Sequence, residues 1–204
     1  MTVARKGCAV PSVFRFLSIV IVASGCDYAP FTPTASKTVR GAIVATQVDI
    51  PAGVTISTDR DLVIQSQTDV VIRGSIVAGT GGVSGRRGPS ITIVAAGDVR
   101  IAGEIRAGNG VAGTVVEVRG AVPAGPGPGQ DIVAVGDWGG DGGSIVIETP
   151  GAVIFEPGGR LVAGDGGGGG AGRSFGGAGS GSLGQGGLAR SVGGTGGAGG
   201  SLIV

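Results

Sequence analysis

Residues 144–167 read SIVIETPGAVIFEPGGRLVAGDGG. Three short β-branched runs end in glycine, and glycine then recurs as far as Gly200. Such a stretch could be a disordered tail, a phosphate-cradling loop or one unit of a repeat. Two other parts of the chain decide between these. Leu62 and Ile64 of LVIQSQTDVVIRGSIVAGTGG (residues 62–82) match Ile91 and Ile93 of ITIVAAGDVRIAGEIRAGNG (residues 91–110). Val70 and Ile72 match Val99 and Ile101. Gly74, Ile76, Ala78 and Gly79 match Gly103, Ile105, Ala107 and Gly108. In the opening stretch the same places are filled by Ile145 and Ile147, Val153 and Phe155, then Leu161, Ala163 and Gly164. Finally GGSLIV (residues 199–204) copies GGSIVI (residues 142–147).

The repeated unit is an I-x-I, a V-x-I and an I-x-A-G, each closed by glycine or a polar pair. Alternation with β-branched residues predicts strands. No window keeps a helical period, and glycine and proline would break one. A unit of three short strands cannot bury its apolar side alone, but stacked units share one aliphatic core. The predicted fold is therefore all-β, a parallel β-helix over residues 42–204. Ile91, Ile93, Val99, Ile101 and Ile105 should point inward, and Thr92, Arg100, Glu104 and Arg106 to water. A two-layer sandwich with hairpins at sites such as Asn109-Gly110 is the competing fold. The in-phase repeat disfavours it.

Surplus residues follow the third strand of a unit as glycine-rich lateral excursions. The excursion before Ile145 holds the strand-like TVVEVRG (residues 114–120) and DIVAV (residues 131–135), a candidate further unit. For residues 164–200 a flexible linker and closely packed polyproline-II-like strands both stay open. A phosphate loop does not, because no lysine follows Lys37 and no helix follows the glycines.

Composition sets the outer limits. With 41% hydrophobic and 14% charged residues, the 47 glycines do not signal disorder. A formal charge of +1 gives no electrostatic case for nucleic acid. The absence of histidine removes the commonest general base and metal ligand. Asp137, Asp141 and Asp165 lie among glycines, but their spacing does not supply the six or so oxygens a hard cation wants. Asp98, Glu104, Glu117, Glu148 and Glu156 are scattered, and the matched pair Asp69 and Asp98 suits a turn. No catalytic residue, metal site or cofactor is expected. Trp138 reads as a packing anchor or as one contact for a sugar ring.

The first 25 residues are different in kind. Arg5, Lys6 and Arg15 lead into FLSIVIVA (residues 16–23) and then small residues, the pattern of a signal peptide. The apolar run is too short to span a bilayer. VASGC (residues 22–26) resembles the lipobox of bacterial lipoproteins, with Ala23 where leucine is commonest. That resemblance implies that Cys26 becomes the acylated N-terminus. Cys8 lies in the segment removed, so Cys26 would otherwise be a lone thiol of an exported chain. Domain organisation is then a signal peptide over 1–25, a lipidated cysteine and flexible tether over 26–41, and a glycine-rich domain over 42–204.

The repeat itself resembles the Gly-rich right-handed parallel β-helices of bacterial surface proteins, among them filamentous-haemagglutinin-type adhesins and pectin-lyase-like folds. The resemblance covers residues 41–204 and implies a rigid extracytoplasmic solenoid in envelope structure or adhesion. The expected function is a lipid-anchored, non-enzymatic cell-envelope or surface protein. A carbohydrate-binding or polysaccharide-cleaving β-helix is the alternative. Expected partners are the membrane through acyl chains on Cys26, a surface polysaccharide or protein, and a second copy through the terminal coil. Inner and outer membrane stay open.

Overall fold

The computed structural model describes residues 28–83, 85–121, 128, 130–176, 178, 185 and 188–204. The predicted signal peptide and Cys26 lie outside them. Among the described residues every regular element is a strand, and every strand pair is parallel.

A short β1 (Lys37–Thr38) precedes three units: β2 (Gly41–Ala45), β3 (Val48–Ile50) and β4 (Thr55–Thr58); β5 (Leu62–Ser66), β6 (Val70–Ile72) and β7 (Ser75–Ala78); β8 (Ile91–Ala95), β9 (Val99–Ile101) and β10 (Glu104–Arg106). Then come β11 (Val116–Arg119) and β12 (Ile132–Val135), a fourth unit of β13 (Ile145–Glu148), β14 (Val153–Phe155) and β15 (Arg160–Val162), and finally β16 (Gly172–Phe175), β17 (Ala189–Val192) and β18 (Leu202–Ile203). Each unit gives one strand to each of three sheets. Their orders are β18-β13-β8-β5-β2, β14-β9-β6-β3 and β1-β4-β7-β10-β15.

The register follows the sequence matches. Leu62 pairs with Ile91 and Ile91 with Ile145; Val70 pairs with Val99 and Val99 with Val153; Ile76 pairs with Ile105 and Ile105 with Leu161. Leu202 pairs with Ile145, so GGSLIV does restart the first sheet. Period-2 alternation sends Ile91, Ile93, Val99, Ile101 and Ile105 into one aliphatic core, where all five are fully buried. Arg100 and Arg106 face solvent, and Thr92 and Glu104 are half-buried on the outside.

Three features go beyond the sequence reading. A unit over 41–58 precedes Leu62 in phase, with Ile43 on Ile64, Val48 on Val70 and Ile56 on Ile76. The expected tether is structured over its described part: Phe31 bridges to Val48, β1 pairs with β4, and the Lys37 ammonium sits 4.4 Å from the Phe31 ring centre. Residues 114–120 and 131–135 do form strands but not a further unit. Among the described residues β11 pairs only with β16, and β12 only with β17. They lack a middle strand matching the V-x-I of the first three units or the V-x-F of the fourth.

The glycine-rich excursions are ordered against one another. The chain runs along 107–116 and back along 134–145, then repeats this along 163–172 and 192–201. Gly164, Gly167 and Gly170 donate N–H to the carbonyls of Gly143, Gly140 and Asp137 at 2.9, 2.7 and 2.8 Å. Gly200, Gly197 and Gly194 donate in turn to Gly164, Gly167 and Gly170 at 2.8, 2.7 and 2.7 Å. Donors at every third residue have the repeat of a polyproline-II helix. The Cα atoms face a third run. A Cβ at Gly164, Gly170 or Gly197 would stand 1.9, 1.9 or 2.0 Å from the carbonyl oxygen of Gly108, Thr114 or Gly140. Only hydrogen fits there, and it points at the oxygen in the manner of a weak Cα–H···O contact.

Candidate functional site

Backbone N–H groups at the edges of the units are captured by side chains of the unit before. Asp61 Oδ1 accepts from Ser90 N at 2.8 Å, Ser90 Oγ from Ser144 N at 3.0 Å, and Ser144 Oγ from Ser201 N at 3.1 Å. Asp69 Oδ1 accepts from Asp98 N at 2.8 Å, and Asp98 Oδ1 from Ala152 N at 3.0 Å. The matched pair Asp69 and Asp98 thus serves a turn. Asp141 Oδ1 accepts from Ala198 N at 2.7 Å in the same way, whereas Asp137 Oδ1 accepts at 3.0 Å from its own neighbour, Trp138 N. Among the described residues no three Asp, Glu, Cys or His side chains converge in a way that could hold a metal.

Several carboxylates are held by guanidinium groups. Glu104 receives Arg160 Nη2 at 2.6 Å and Arg106 Nε at 2.8 Å. The Arg160 hydrogen bond, helped by Arg106, holds its carboxyl below the usual glutamate range despite partial burial. Glu104 is therefore an anion at neutral pH and unsuited to protonate a leaving group. Glu117 pairs with Arg119 at 2.6 Å, and Asp98 with Arg100 at 3.6 Å.

One cleft gathers more charge than the sequence suggested. It is an open groove of about 290 Å³ between the turn at 59–61 and residues 81–89. Arg60, Arg86 and Arg87 line it with Asp59 and Asp61. Asp59 is gripped by Arg40, whose Nε and Nη2 donate at 3.0 and 2.8 Å, and this bond lowers its carboxyl from the usual aspartate range. Asp61 accepts from Arg87 Nη2 at 2.7 Å while Arg87 Nη1 donates to Ser90 Oγ at 2.8 Å. The backbones carrying the other two arginines are pinned. Arg60 N donates to Thr58 Oγ1 at 3.2 Å, and that hydroxyl donates to the Arg60 carbonyl at 2.8 Å. Arg86 N donates to the Val83 carbonyl, and its own carbonyl accepts from Val111 N, both at 3.1 Å.

The cleft was not legible because Arg60 and Arg86 lie 26 positions apart and meet only when the second unit stacks on the first. The available signal was a pair of arginine-bearing turns, DRD (59–61) and GRRG (85–88), one unit apart. Trp138 is 69% exposed, so it is no packing anchor. Its carbonyl lies beside Gly85, where a Cβ would stand 3.0 Å from it and φ is +70°. Cys26, the expected lipidation site, lies outside the described residues.

Two apolar surfaces remain. On the outer side of the first sheet Ala42, Val63, Thr92, Val146 and Ile203 form one row in register. β14 and β15 each have one paired and one open edge among the described residues, and Phe155 in β14 is 49% exposed. No family model matches the chain, and neither curated proteins nor solved structures give a match.

Proposed function

We propose that the chain is a lipid-anchored, non-enzymatic envelope or surface protein whose three parallel sheets are the faces of a parallel β-helix. The observation that carries this reading is the in-register stacking of four units, each giving one strand to each sheet. A stack of this kind is a stiff body with long repetitive faces and suits display or adhesion. The lipobox-like VASGC supplies the address. Burial of acyl chains stabilises membrane attachment by about 0.8 kcal/mol per methylene, so several chains hold firmly.

The strand pairing of Phe31 sharpens the geometry of the anchor. Tyr28, two residues after Cys26, already touches the body, because its carbonyl accepts the Thr46 hydroxyl. An acylated Cys26 would therefore hold the folded units close to the membrane surface. The open β14 and β15 edges suit self-association in the same setting. A catalytic reading has less support, since the Glu104, Glu117 and Asp98 carboxylates sit in ion pairs.

Fatty-acid labelling in a bacterial host tests the anchor. Wild-type chain should incorporate label and partition with membranes, and Cys26→Ser should lose both. Equal labelling and partition of the two chains would overturn it.

A further inference from the structure

We propose that the cleft lined by Arg60, Arg86 and Arg87 is a binding site for a phosphate group. The charge balance argues for an anionic group. The cleft is lined by Arg60, Arg86 and Arg87 with Asp59 and Asp61, and Arg40, outside the lining, neutralises Asp59, which leaves a formal surplus of two positive charges. The surplus is localised. Arg40 and Arg87 are committed to the two aspartates, Arg60 acts on Asp59 only as the weakest of several influences, and neither Arg60 nor Arg86 has a salt bridge or hydrogen bond at its guanidinium among the described residues. Two unpaired planar donor forks in one cleft match a tetrahedral oxyanion, to which each can donate two parallel hydrogen bonds.

The site is built rather than incidental. Thr58 fixes the backbone at Arg60, and Val83 and Val111 fix it at Arg86, so ordering these chains for binding costs only side-chain freedom. Asp61 and Ser90 hold the Arg87 guanidinium from behind. Gly82 lines the cleft, and a Cβ there would meet nothing within 4 Å, which leaves room for the ligand. A phosphate can come from a lipid headgroup or from a soluble phosphorylated molecule. The site does not depend on acylation of Cys26.

The test uses the full-length chain in neutral detergent. Inorganic phosphate is titrated while the arginine Nε–H signals are followed by NMR. Full-length Cys26→Ser chain, which cannot insert by acylation, is floated with phosphatidylcholine vesicles with or without phosphatidylglycerol. The variants are Arg60→Gln/Arg86→Gln, Gly82→Asp, and the control Arg173→Gln/Arg190→Gln, which removes the same charge from exposed positions in β16 and β17. Phosphate should shift cleft arginine signals. Both cleft variants should weaken binding about tenfold or more, and the control should stay within about twofold of wild type. Flotation that needs phosphatidylglycerol and the cleft arginines would identify the headgroup as the source. Response to inorganic phosphate without such flotation would identify a soluble phosphorylated ligand. Response to neither probe, or equal loss in control and cleft variants, would overturn the site.

Discussion

Ile105 and Gly164 occupy extended chain a unit apart and are packed by opposite means. Ile105 sits between Ile76 and Leu161 in the third sheet and fills space with its side chain. Gly164 donates its N–H to Gly143 and turns its Cα–H at the carbonyl of Gly108, so its lack of a side chain is what allows the contact. The three sheets gain from burying apolar surface, at about 25 cal/mol per Å². The glycine array buries little apolar side chain and relies on backbone hydrogen bonds, each contributing about 0.5–1.5 kcal/mol net. It also bears the large entropy loss of ordering glycine. In this molecule the sheets carry the array: each excursion leaves from the third sheet and returns to the first.

That comparison can be broken most forcefully in the sheets. Ile105→Ala removes a fully buried side chain from the centre of the stack and should destabilise by about 2–5 kcal/mol in denaturant unfolding. The array should melt in the same transition, because its ends are fixed by β10, β13, β15 and β18. An array signal that survives loss of the sheets would show that the array folds independently.

A smaller effect is expected at the turns that tie units together. Asp98→Ala leaves Ala152 N without its acceptor and should cost about 1 kcal/mol. Asp98→Asn keeps an acceptor oxygen and should recover most of the loss. If both variants unfold like wild type, the side-chain ladder contributes nothing to stacking.

The smallest effect concerns the outer charges. Glu104→Gln should cost less than about 1 kcal/mol at neutral pH, because its ion pairs are partly solvated. The sign of its pH dependence is fixed. The folded-state carboxyl is lowered, so its stabilisation is present above the ordinary glutamate range of about 4.3 and is lost as pH falls through the lowered value. The gap between wild type and Glu104→Gln should therefore close on acidification below about pH 4. A gap that widens with acid would contradict the ion-pair account.

The sheets were largely legible in the sequence because inward positions repeat with a period of two and the second, third and fourth units end in glycine. That was enough to give the pairing of Leu62, Ile91, Ile145 and Leu202 correctly. The first unit was only partly legible: Ile43, Val48, Ile50 and Ile56 match later units in type, but Gly41 stands where they place Leu or Ile and Thr58 where the second places Ala, so its two ends do not show the repeat. The array was hidden differently. Its close-packed glycines take two of every three places in one run, at 164, 166, 167, 169 and 170, and every third place in the next, at 194, 197 and 200. The pattern is masked because open positions such as 168, 193, 196 and 199 are glycine as well. The cleft was the least legible part, since its charge comes from turns in successive units and depends on the stacking itself.

Two adjacent glycines test the array most directly. A Cβ at Gly167 would lie 2.4 Å from the Val111 carbonyl, whereas one at Gly168 would meet nothing within 4 Å. Neither glycine has a positive φ. Thermal unfolding of the two alanine variants should therefore diverge. Gly167→Ala should destabilise by about 1–3 kcal/mol through overpacking. Gly168→Ala should be neutral or up to about 1 kcal/mol more stable through a less flexible unfolded chain. Equal melting temperatures for Gly167→Ala, Gly168→Ala and wild type would contradict the account of the array as packed, hydrogen-bonded backbone.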